Sequence, residues 1–203
     1  MGNDAVLLRL NDLCQIHAGY PFRVGINEGA EGARVVQMRD VATDGYIAWS
    51  GVARTELPGQ KAPDWVEVGD LLVIARGSRY YAAFVDYVPG PTVCGPHLFQ
   101  IRLKPGGKVL PGFLAWQMNQ APLQRVLRKA AQGSGQLSIS RTELEALPIS
   151  VPPLPDQEKI VQLARLALRE RDLFTSLIRN RERQLETLAT NLSNSVATRE
   201  PRP

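Results

Sequence analysis

A chain of 203 residues, 44% hydrophobic and 22% charged, can hold one large domain or a domain with an extension, and its composition is that of a folded, soluble protein. The formal charge of +4, set by 24 Lys and Arg against 20 Asp and Glu, permits a polyanionic partner without requiring one. No basic and apolar leader and no long apolar run argue for secretion or membrane insertion, so a cytoplasmic location is expected, with Cys14 and Cys94 as reduced, half-buried thiols that form neither a disulfide nor a metal pair.

In chain order, residues 6–16 read as a strand or a short helix entering a domain. The stretch AGYPFRVGINEGAEGA, with Gly19, Pro21, Gly25, Gly29 and Gly32, reads as a surface loop. Alternation from Arg34 to Val41 predicts a strand, and TDGYIAWSG predicts a hairpin turning at Asp44 and Gly45. The run VEVGDLLVIARGSRYYAAFVDYV predicts a turn at Gly69 and Asp70, a buried strand over 71–75, a polar loop and a second strand over 82–88 paired with the first. A further strand is expected over 98–103. Pro111 and Pro122 suit first-turn positions, giving helices over 113–119 and 123–131. Ser140 and Glu143 form a capping box for 141–146, and 149–151 closes the domain as a short strand. The sum is an α+β fold: a mixed-sheet domain with short helices, over residues 1–152.

Residues 153–203 predict a long coiled-coil-type helix with a frayed tail. Pro152, Pro153 and Pro155 keep the chain extended until Asp156, which caps the helix, and Glu158 suits its first turn. Apolar residues then recur at three-and-four spacing: Ile160, Leu163, Ala164, Ala167, Phe174, Leu177, Ile178, Leu185, Leu188 and Leu192. Arg171 and Arg181 interrupt the stripe. From Asp156 to Leu192 such a helix is about 55 Å long. It either folds back on its own domain or pairs with a second copy or another protein.

Catalytic constellations are sparse in the sequence. His17 and His97 stand in unrelated contexts, no nucleophile with a base is apparent, and neither a phosphate-binding GxxxxGK[ST] nor a dinucleotide unit is present. The loop Arg76, Gly77, Ser78, Arg79, Tyr80, Tyr81 is the most suggestive patch. Arginine can fork onto guanine, serine can hold phosphate and tyrosine can pack on sugar or base, although a plain surface turn with Tyr81 inward fits the same residues. The polar segment Gln132–Ser140 offers Gln136 and Ser138, which either read a base or stay solvated. His97 is either a hydrogen-bonded structural residue or a nucleic-acid contact, and His17 reads as structural.

Five segments in order, LNDLCQIHAGYPF, VEVGDLLVIARGS, LPGFLAWQMNQAPLQ, GSGQLSISRTELEALPISVPPLPDQEKIV and the long helix, resemble the specificity subunits of type I restriction-modification systems. The resemblance covers residues 10–192. It implies a target-recognition domain that reads half of a split double-stranded DNA site, and a spacer helix that pairs antiparallel with another and docks a DNA adenine methyltransferase subunit. A nuclease subunit is a further possible partner. Carried onto this chain, Arg76, Ser78, Arg79 and Tyr80 fall in a loop after the GDLLV strand, and Gly133–Ser140 matches the polar segment before the capped helix. The family motifs do not fix which side chains touch bases; on side-chain chemistry the DNA-contacting candidates are Arg23, Arg34, Arg39, Arg76, Ser78, Arg79, Tyr80, Tyr81, His97, Gln136 and Ser138.

Family members usually carry two recognition domains and two spacer helices, whereas one of each stands here. Two copies are therefore expected to pair as a homodimer through 156–192 and to read an inverted repeat. No [DN]PP[YF] or glycine-rich donor segment is present, and VPPLP at 151–155 is not one, so no catalytic residue, metal or cofactor is assigned to this chain; S-adenosylmethionine is expected only in the partner. Two other classes stay open: an interaction protein or decoy that uses the helix without reading DNA, and a small enzyme seeded by His97 near Arg76 or Arg79.

Overall fold

The computed structural model describes residues 5–22, 25–26, 29, 31–58, 62–77, 79–131 and 137–197, the last four without their side chains. The fold is mixed α+β. Strands β1 (Val6–Arg9) and β9 (Pro148–Val151) form an antiparallel pair. A four-stranded antiparallel sheet has the order β2 (Cys14–Ala18), β8 (Leu98–Leu103), β5 (Leu71–Ile74), β6 (Ala82–Phe84). A three-stranded sheet has the order β4 (Ala53–Thr55), β3 (Ala33–Val36), β7 (Thr92–Cys94), with β3 and β7 parallel. The segment 6–16 is thus strand, one helical turn α1 (Leu10–Leu13), and strand again.

The four-stranded sheet is the middle layer. Successive strand residues face opposite sides, so Leu71 and Val73 of β5 enter one apolar cluster while Leu72 and Ile74 enter the other. The first cluster is closed by α2 (Pro111–Asn119) and α3 (Ala121–Ala130), through Phe113, Leu114, Met118, Leu123 and Leu127. The second is closed by Val36 and Cys94 of the three-stranded sheet with Val41, Ile47 and Val66. Burial on both sides explains why β5 reads as an unbroken apolar run.

Strand β6 is an edge, and side-chain amides cover it. Asn119 accepts from the Ala82 amide at 2.9 Å and donates to its carbonyl at 2.8 Å. Gln124 donates to the Tyr80 carbonyl at 2.9 Å, and the Gly45 carbonyl accepts from Phe84 at 3.0 Å. These bonds stand in for a fifth strand and stop the edge from recruiting another chain.

Several local expectations change. Strand β3 stops at Val36 because a 3-10 turn over Met38–Asp40 follows, closed by the Asp40 carboxylate accepting from the Gln37 amide at 2.8 Å. The TDGYIAWSG hairpin reduces to one bridge, Val41 with Ile47, and β6 stops at Phe84 rather than running to Val88. The capping box on α4 (Arg141–Glu145) forms as expected: Glu143 N donates to Ser140 Oγ at 3.2 Å and Ser140 N to Glu143 Oε2 at 2.7 Å.

The long helix α5 spans Leu154–Ala197. It starts two residues earlier than the prolines suggested. The Pro153 carbonyl accepts from Asp156 and Gln157, and Pro155 sits in the first turn, where a missing N–H removes no helical bond. Gln157 is 0% exposed: its Oε1 accepts from Leu110 N at 2.9 Å, and its Nε2 donates to the Lys108 and Pro152 carbonyls at 2.9 and 2.8 Å. Ile160 and Val161 pack on the first core cluster. The compact domain therefore takes in two turns of the helix, ending at Val161, and residues 162–203 form a second unit.

Candidate nucleic-acid interface

In the antiparallel sheet, the segments after β2 and β5 and before β6 and β8 all emerge at one end, because Ala18 pairs with Phe99, Ile74 with Leu98 and Val73 with Ala82. At that end lies a cleft of about 450 Å³, lined in part by Gly19, Arg76, His97 and Ser138. Close backbone approach builds it. A Cβ on Gly19 would collide with the Gly95 carbonyl, and Tyr20 N donates to the Cys94 carbonyl at 2.7 Å. The segment before α4 joins from the other side: Gly77 N donates to Leu137 O and Ile139 N to Ala75 O, both at 2.8 Å, with Arg76 and Ser138 bridged.

His97 holds a left-handed φ of 66°, a conformation that costs a non-glycine residue roughly 1 kcal/mol, and its carbonyl accepts from Ala75 N at 2.8 Å. Its Nε2 lies 3.5 Å from Arg76 NH1. A guanidinium only donates, so the imidazole faces it as an acceptor. Arg79 donates to the Tyr81 hydroxyl at 3.1 Å on the same loop. The end of the sheet thus gathers Arg76, Arg79, Tyr81, His97 and Ser138.

The other candidates separate. Tyr80 is 0% exposed and belongs to the first core cluster, so it is no surface contact: Gln124 of α3 holds its backbone and draws the ring inward, while Tyr81 stays half-exposed. Burial, with Glu143 nearby, raises the Tyr80 phenol above its ordinary value. Arg34 is half-buried and donates to the Pro89 carbonyl at 3.1 Å, beside the start of β7, whereas the His97 turn follows the end of that strand. Arg39 is exposed, with its Nε 3.9 Å from the buried Asp40 carboxylate. Arg23, Ser78 and residues 132–136 of the polar segment 132–140, Gln136 among them, lie outside the described residues.

A polar network that sequence reading passed over fixes the opposite end of β5 and β8. Asp70 is buried and takes both Nε and NH2 of Arg102 at 2.8 Å, with Gln100 Nε2 at 2.8 Å and the Glu67 amide at 2.8 Å. Asp70 hydrogen bonding, then its charge and that of Glu67, holds the Arg102 guanidinium above its ordinary value against the effect of burial. The GD turn before β5 was visible; its partner 32 residues on was not. His17 is placed against Asp64 at 3.4 Å. Cys14 and Cys94 are free and buried, which pushes the Cys14 thiol up to about 12 and Cys94 up as well.

The second unit is a helix with an open apolar face. Leu163, Leu166, Leu173, Phe174, Leu177, Ile178, Leu185, Leu188 and Leu192 are 58–69% exposed. Ala164, Ala167, Arg171, Phe174, Ile178, Arg181, Leu185, Leu188 and Leu192 follow an alternating three-and-four step, the seam of a coiled coil. Leu163, Leu166, Leu173 and Leu177 add a parallel line that widens the face over its first half. Ile160, expected to open the stripe, is instead part of the domain's packing. Among the described residues no helix is long and apolar enough to cross a membrane.

The structure is thus a layered α+β domain with a cation-bearing loop cluster at one sheet end, followed by a long helix with an exposed apolar face. The chain belongs to the type I restriction modification DNA specificity domain family, whose sequence model matches residues 4–164. Solved structures with this fold include one from a study of complex assembly and conformational transition of the type I R-M system, at 18% identity and a TM-score of 0.63 over 93% of this chain. Others are the S subunit from M. genitalium (14%, 0.58, 88% of this chain) and the HsdS subunit from Thermoanaerobacter tengcongensis (19%, 0.57, 84%). The chain spans 44%, 43% and 38% of those three chains in turn. No curated protein matches it.

Proposed function

We propose that this chain is a DNA-reading specificity component of a type I restriction-modification system, in which two copies pair through α5 and each domain reads one half of an inverted-repeat site. The observation that carries the reading is the open apolar face: nine large apolar side chains, all more than half exposed, five of them on the coiled-coil seam and four on the line beside it, on the helix that leads out of a DNA-specificity domain. Large contiguous apolar surface on a water-soluble chain marks an interface.

In this reading Arg76 contacts a base edge, Ser138 and Arg79 contact the backbone or an adjacent base, and His97 backs Arg76. Methyl transfer belongs to a partner methyltransferase that binds S-adenosylmethionine, and the isolated chain transfers no methyl group. Selection from random duplexes tests the arrangement. An inverted repeat with an unread spacer of fixed length is the expected product, and a population of purely asymmetric sites contradicts it. Labelled-donor assays on the chain alone test the division of labour, since clear turnover would place catalysis here.

A further inference from the structure

From Tyr87 to Thr142 the chain carries no Asp or Glu and seven Lys or Arg. Three of the seven are engaged through their side chains: Arg102 with Asp70 and Glu67, Arg141 with Glu145, and Lys104 with the Asn11 carbonyl, while Lys108, before α2, is held only through its backbone carbonyl, which accepts from Gln157. The other three, Arg125, Arg128 and Lys129, all lie on α3. They are spaced at i, i+3 and i+4, so they share one face of the helix, opposite the buried Leu123, Gln124 and Leu127. All three are exposed, and among the described residues none forms an ion pair or a side-chain hydrogen bond. Cations in a last turn complement the helix dipole, which accounts for Arg128 and Lys129 but not for Arg125 in the middle of α3.

Two connections tie this face to the loop cluster. Gln124, one residue from Arg125 and one turn before Arg128, donates to the Tyr80 carbonyl between Arg79 and Tyr81. The chain leaving α3 returns as Leu137–Ile139, which bonds to Ala75 and Gly77 on either side of Arg76. A cationic helix face without internal carboxylates, fixed to a loop that carries two further arginines, complements a polyanion.

We propose that Arg125, Arg128 and Lys129 form a phosphate-binding face that grips the backbone of duplex DNA while the loop cluster reads bases. This rests on the DNA-reading role proposed above and adds a surface that carries affinity without sequence information. Each phosphate contact contributes about 0.9 to the slope of log affinity against log salt. Three contacts make the slope steeper by about 2.7, so between about 50 and 200 mM salt the unmodified chain loses about 40-fold more affinity than one lacking the face.

The test is a salt titration of the full chain on a labelled duplex carrying the selected site and on a scrambled duplex of equal length. For R125Q/R128Q/K129Q the expected result is a slope shallower by about 2–3 on both duplexes, with the ratio of the two affinities unchanged. R125K/R128K keeps the charge and retains the slope, and an unchanged melting temperature in both variants shows that folding is not the cause. An unchanged slope in the triple variant overturns the proposal and leaves the DNA-reading role intact. A loss confined to the selected site also overturns it, because the face then reads bases. Unchanged DNA binding with lost methyltransferase association assigns the face to an acidic protein surface instead. An unmodified chain that prefers no duplex removes the parent reading.

Discussion

The domain and the rod dispose their apolar residues in opposite ways. Up to Val161 the large side chains converge on two clusters either side of one sheet, and buried polar groups such as Asp70, Gln124 and Gln157 are bonded to named partners. From Gln162 on, leucines, an isoleucine and a phenylalanine lie along a helix with nothing of the same unit to cover them. The first unit covers most of its large apolar side chains with its own residues. The second is stable as written only if something else supplies the missing half, since a lone helix gains its stability mostly from packing its apolar face.

The comparison breaks most sharply at the seam. Phe174→Glu with Ile178→Glu removes four apolar side chains from a two-fold interface, each contributing about 1.5–3 kcal/mol when buried. Self-association is expected to weaken at least a thousandfold on that arithmetic, with the melting of the domain unchanged. Sedimentation and thermal melts of the same samples measure both, and a domain that melts early would show that the stripe is packed on it.

The next largest effect falls on the domain side. Gln157→Leu strands Leu110 N and two carbonyls, so the domain is expected to lose roughly 2–4 kcal/mol, lowering its melting temperature by several degrees. Gln124→Ala unties the edge of β6 and costs about 1–3 kcal/mol by the same reasoning. Either variant melting like the parent would mean that these amides are solvated rather than buried.

Arg76→Ala is expected to cost about 1–3 kcal/mol of discrimination at one base pair, read as selected-site against single-mismatch binding. Equal losses on matched and scrambled duplexes would reassign Arg76 to backbone holding. The smallest effect concerns the thiols. Cys14 keeps its proton to about pH 12 in the fold, against an ordinary 9.0, so a thiol reagent at pH 8 finds no reactive site there until the chain unfolds. The unfolded chain ionises first, so this group lowers stability as pH rises from 9.0 towards 12 and has no effect below that window. Rapid labelling of Cys14 in the folded chain would contradict its burial.

Legibility in the sequence follows the range of the interactions. The three-and-four spacing of α5, the Ser140 and Glu143 box and the LLVI run of β5 are local signals, and the structure carries all three. Tyr80 and Tyr81 are adjacent and chemically alike, yet Tyr80 is fully buried in the first cluster, with its backbone held by Gln124, 44 residues away, while Tyr81 packs only partly buried on the second. Gln157 looks like a surface residue of an amphipathic helix until Lys108, 49 residues back, takes its amide. Ile160 satisfies the helical period of the stripe and still belongs to the domain, because periodicity does not say which body covers a face. In the loop cluster the arginines were visible, but the meeting of Arg76 with His97 and Ser138 depends on sheet register, which no local pattern gives.

Sedimentation equilibrium of the purified chain at micromolar concentration tests the role of the exposed apolar face most directly. The account predicts twice the 22.4 kDa chain mass, held through residues 162–197. A mass of 22.4 kDa, unchanged when a methyltransferase is present, would contradict it.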